Sequence, residues 1–143
     1  MSNHLRTPED YELFVYTIAE QYAGIIRSTV TFIRIGATLA RTAGEIEFEE
    51  GSRLIVRERI VYDRLPALID WYGYEIWKGT EELYWYDSQP HPDDLSLRST
   101  DPHHKHIAPD MKHHRIPAPE MSFTSPNLPA IIAEMIELVT AVT

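Results

Sequence analysis

Hydrophobic and polar positions follow two rhythms along this chain, and the change of rhythm separates helical ends from a stranded middle. Tyr11, Phe14, Val15, Ile18 and Tyr22 recur at three- and four-residue spacing, which puts them on one face of a helix. Thr7-Pro8-Glu9-Asp10 reads as its start: a threonine to accept an early backbone N–H, a proline suited to the first turn, and acids at the positive end of the dipole. Gly24 is the expected stop. Near the other end, Leu128, Ile132, Met135, Ile136 and Val139 repeat the helical spacing after Ser125-Pro126-Asn127.

Between them the pattern shortens to alternation with many β-branched residues. Ser28 to Ile35, Thr38 to Phe48, Arg53 to Tyr62, Asp70 to Trp77 and Glu82 to Tyr86 are expected strands, with hairpin turns at Glu49 to Ser52 and Lys78 to Thr80. Gly44, inside the second of these, marks a bulge or the close approach of another backbone. The connections are short, so the neighbours are antiparallel. The expected fold is α+β: one domain over residues 1–143, with a curved antiparallel sheet of about five strands flanked by an N-terminal and a C-terminal helix on one side. An exposed sheet edge is compatible with a homodimer.

Composition narrows the function classes. The chain has no cysteine, which removes thiolate chemistry, disulfides and cysteine-based zinc sites. Net charge is −9, which argues against tight, sequence-blind nucleic-acid binding by the molecule as a whole. The N-terminal residues lack the apolar run of a signal peptide and no stretch is long enough for a membrane span, so the expected setting is the cytoplasm, without membrane partners.

One region departs from the scaffold pattern. Of the seven histidines, His103, His104, His106, His113 and His114 fall within twelve residues, and His91 lies just upstream. Prolines 90, 92, 102, 109, 117 and 119 punctuate the same region, which therefore reads as a stiffened loop rather than a helix or central strand. Three readings fit the cluster. Imidazoles near their own pKa can do acid–base work, as cleavage of RNA by its own 2′-hydroxyl requires, with Lys105, Arg57 or Arg59 as the phosphate cation. Alternatively, if the segment is extended, His104 and His106 point the same way and a third ligand from Asp87, His91 or the His113-His114 pair completes a metal site. The third is a surface loop whose histidines bond backbone carbonyls. The aromatic residues of the last two strands, Tyr86 among them, are core pairs or a stacking platform for bases, and Arg57 and Arg59 share one strand face.

Trp85-Tyr86-Asp87-Ser88-Gln89-Pro90-His91-Pro92, followed by Asp101-Pro102-His103-His104-Lys105-His106, resembles the TumE family of toxin components, with Pro92 where that pattern has a second histidine. The resemblance implies a cytoplasmic toxin silenced by a helix-turn-helix antitoxin. Joined to the acid–base reading, it leads to an expected ribonuclease that uses no metal or other cofactor. His103, His104 and His106 would move protons, Lys105 would hold phosphate, Asp87 and His91 would orient or share the proton, and Arg57, Arg59 and Tyr86 would contact RNA. The alternative is a non-catalytic module that binds a protein or ligand.

Overall fold

The computed structural model describes residues 3–142. The N-terminal helical pattern forms α1 (Pro8–Tyr16) and a short α2 (Ile18–Gln21). Thr7 caps α1, its Oγ1 accepting from the N–H of Asp10 at 3.1 Å. The expected single helix to Gly24 breaks at Thr17, whose hydroxyl joins its own N–H in bonding the Leu13 carbonyl. Gly24 serves packing instead: a Cβ there would stand 2.9 Å from Cγ1 of Ile136.

The strands are β1 (Ile25–Ser28), β2 (Thr31–Ile35), β3 (Leu39–Phe48), β4 (Ser52–Val61), β5 (Leu68–Lys78), β6 (Glu81–Asp87), β7 (His104–Ile107) and β8 (Arg115–Pro117); α3 (Leu128–Val142) ends the described chain. They form one antiparallel sheet in the order β1-β3-β4-β5-β6-β7-β8, with β2 also paired to β3. Eight strands replace the expected five for two reasons. The run from Ser28 to Ile35 breaks at Thr29-Val30, so β1 and β2 share the edge of the longer β3. At the break, Gly44 has φ +152° and a Cβ there would come within 2.5 Å of Val30 Cα, so the glycine marks the close approach of a backbone. The other two strands, β7 and β8, come from the histidine- and proline-rich segment expected to be loop. Its prolines sit outside β7 and at the end of β8, which leaves two short hydrogen-bonding stretches free to pair.

Alternation along β4, β5 and β6 sends Leu54, Val56, Ile60, Tyr72, Tyr74, Ile76 and Tyr86 to one face, where they form a common core with Tyr11, Phe14 and Val15 of α1 and Ile131, Ile132 and Met135 of α3. Both helices therefore cover that face. Within this core, buried Glu58 accepts from the hydroxyls of Tyr11 and Tyr74, and Asn127 at the start of α3 donates to Tyr74 at 3.1 Å. Burial pushes the Glu58 carboxyl up against the opposing pull of those hydrogen bonds. No helix among the described residues is long and apolar enough to cross a membrane.

Candidate functional site

The opposite face of the sheet carries the chemistry. On β6, Tyr84 and Tyr86 turn to the helices, so Trp85 and Asp87 turn away. β7 pairs with β6 in a register that sets Asp87 beside His104 and Trp85 beside His106. All four share the face away from the helices, while Lys105 between the histidines points to the other. Nε2 of His104 lies 2.9 Å from Asp87 Oδ1, Nε2 of His106 lies 3.1 Å from Oδ2, and the two Nε2 atoms are 3.1 Å apart.

Both imidazoles are nearly sealed, His104 at 1% and His106 at 6% exposure. Trp85 stacks on His106 with ring centroids 4.1 Å apart, and its indole N–H donates to Asp87 at 3.0 Å. The backbone N–H of Gln89 donates to the other carboxylate oxygen at 3.1 Å. Burial would raise the Asp87 carboxyl, but its contacts with His104 and His106 outweigh it and hold the group well below the usual carboxylate range. Burial works against charge on His104 too, yet the bonds to Asp87 and to the Pro102 carbonyl raise its pKa.

His91 stands edge-on to His104, with centroids 4.8 Å apart. Its backbone N–H donates to Asp101 Oδ1 at 2.9 Å, and Nη1 of Arg115 lies 2.7 Å from its Nδ1. Burial and then the Arg115 charge lower the His91 pKa, which favours the neutral ring. Arg115 faces His106 across the β7–β8 ladder, and its buried Nε has no hydrogen-bond partner. The sequence alone gives Arg115 no role. No local signal marks it: Arg115-Ile116-Pro117 is three residues long, shows no alternation and ends in proline.

The remaining expected residues are dispersed. His103 lies at the helix-covered side, Nδ1 2.6 Å from the hydroxyl of Tyr72 and its ring edge-on to Phe123. Lys105 is also on that side, 3.7 Å from Glu134 of α3 and 4.0 Å from the ring centre of Tyr84. Tyr86 is fully buried there and donates to Glu134 at 2.9 Å. His113 and His114 are exposed and bond Asp110 and the Ala108 carbonyl. Alternation thus splits Pro-His-His-Lys-His between the faces: only His104 and His106 join Asp87, with His91 alongside.

A groove of about 320 Å³ opens beside Asp87, walled by Arg57, Trp71, Glu75 and Trp85. Its floor is Gly73, which pairs with Arg57 on one side and Asp87 on the other. Arg57 and Arg59 both lie on this face, as their spacing implied, bonded to Glu75 at 2.5 Å and Asp70 at 2.7 Å. A second depression, with Arg41, Arg57, Arg59 and Trp71 in its lining, adjoins through Arg57 and Trp71. On the loop side, His91 and Arg115 line a more open hollow.

The family model described as Toxin TumE matches residues 15–139. The chain belongs to the TumE toxin family. The TumE match takes in Asp87, His91, His104, His106 and Arg115, together with the groove, and begins near the end of α1. No curated protein and no solved structure matches the chain.

Proposed function

We propose that this TumE chain is the toxin of a toxin–antitoxin pair and that it cleaves RNA at the centre formed by Asp87, His104 and His106. One observation carries the reading: a sealed carboxylate–imidazole centre meets a groove edged by Arg57, Trp71 and Trp85 on the face away from the helices. Attack by a 2′-hydroxyl on the neighbouring phosphorus closes a cyclic phosphate and breaks the bond to the 5′-oxygen, which leaves as the alcohol with a proton from water. The step needs an acceptor for the 2′ proton and positive charge against the phosphorane oxygens. His91, which lines the neighbouring hollow with Arg115 and whose pKa is lowered, would offer the acceptor once the guanidinium turns from its ring to the phosphate. Arg115 offers the charge, and the tryptophans offer faces on which bases stack. Overall charge is −9, so these local groups rather than the molecule's field would hold the strand.

Family membership supports an antitoxin partner, and a helix-turn-helix protein is the expected kind. Inducible expression of the wild type beside Asp87→Asn and His91→Ala tests the function. Growth arrest with fragmented RNA, lost in both variants, is the expected result; normal growth with intact RNA would overturn it and favour a non-catalytic binding protein.

A further inference from the structure

We propose that Asp87, His104 and His106 bind one divalent transition-metal ion, a role that rests on the same centre as the proposed cleavage but is measured without RNA. The backbone fixes the chemistry of the two rings. Nδ1 of His104 lies 3.0 Å from the carbonyl oxygen of Pro102, and Nδ1 of His106 lies 2.8 Å from that of Met111. A carbonyl only accepts, so each Nδ1 carries the hydrogen and each Nε2 of a neutral ring presents its lone pair. The two lone pairs face each other at 3.1 Å, and each also faces an oxygen of Asp87 at 2.9 or 3.1 Å. Acceptors directed at one another repel unless positive charge lies among them. A proton satisfies one contact along one line; a divalent ion satisfies all of them together.

The spacing suits such an ion. Bonds of about 2.1 Å at roughly right angles put neighbouring donors about 3.0 Å apart. Two imidazoles and a carboxylate on one side form a donor set that leaves positions open for water or substrate. The outer partners are also in place: backbone carbonyls hold both Nδ1–H groups, and Trp85 and Gln89 orient the carboxylate. Among the described residues, no third ligand joins His113 and Asp110, the exposed pair. With a dication in place the centre is net positive beside the groove, as binding of a phosphodiester requires.

The test uses the whole purified chain, stripped with a chelator, titrated with Zn²⁺ by calorimetry and with Co²⁺ by visible absorption. One ion per chain and a rise in Tm with Zn²⁺ are expected. Asp87→Asn should weaken binding by at least the roughly tenfold to hundredfold that loss of an outer partner costs. His104→Gln/His106→Gln, checked for fold by circular dichroism, should abolish it, and His113→Ala/His114→Ala should leave it unchanged. No uptake by the wild type, or uptake that survives the first pair and is lost with the second, overturns the proposal. No Zn²⁺ uptake by a chain that nevertheless arrests growth and cuts RNA would overturn the metal and leave cleavage standing. Zn²⁺ held at the centre of a chain that neither arrests growth nor cuts RNA would do the reverse.

Discussion

Gly73 and Asp87 stand opposite each other across the ladder between β5 and β6, so the carboxylate of the centre faces a residue with no side chain. The gap is the floor of the groove. A Cβ at position 73 would meet Nε of Arg57 and Cη2 of Trp71 at 3.9 Å, an ordinary contact. Gly73→Ala should therefore keep the fold and most of the activity. Gly73→Leu should fill the groove and lower RNA cleavage on the order of a hundredfold while Tm is unchanged. Equal activity of the two variants would separate the groove from function.

Lys105 separates the two faces experimentally. Lys105→Met removes the contact to Glu134 and the cation over Tyr84, on the side away from the centre. It should cost about 1 kcal/mol in urea unfolding and leave toxicity intact. Loss of toxicity in a stably folded Lys105→Met chain would restore the lysine to the chemistry.

Much of the fold was legible because it rests on periodicity. The helical spacing from Tyr11 and from Leu128 gave both terminal helices, and the alternation of Arg53 to Tyr62 and Asp70 to Trp77 gave the central strands within a residue or two. The histidine segment was read as loop because its prolines outweighed four residues of alternation, His104 to Ile107. The site was half legible for the same reason. Clustering along the sequence singled out the imidazoles, but which of them meet depends on strand parity and register. His103 and His104 are neighbours in sequence and on opposite sides of the sheet. Arg115 joins His91 only through the pairing of β8, which no local signal announces.

Glu58 ties α1, β4, β5 and the start of α3 through its two tyrosine partners and Asn127. Glu58→Ala leaves two buried hydroxyls without an acceptor and should destabilise the chain by about 3 kcal/mol. Glu58→Gln keeps an acceptor and should cost less than half of that. Chemical denaturation distinguishes the two, and equal losses would mean that the knot contributes by volume alone.

Glu82 gives a pH-dependent signature. Burial and then the neighbouring Glu75 carboxylate push its pKa up to about 7, above the 4.5 of an ordinary glutamate. The folded state thus holds this proton more tightly than the unfolded state. The stability it contributes is full below about pH 4.5 and lost as pH rises through about 7. Urea midpoints of the wild type should fall across that window relative to Glu82→Gln, and parallel curves would contradict the assignment.

Glu134 of α3 bonds Tyr84 and Tyr86 of β6 and approaches Lys105 of β7. It therefore fastens from behind the two strands whose other side brings Asp87 to His104 and His106. Asp87, the two imidazoles and Glu134 follow one another in that order along the chain, so synthesis supplies the residues of the centre before the one that braces it. A fragment cut short ahead of α3 would carry every residue of the centre and lack the carboxylate that fastens the seam between β6 and β7 from behind.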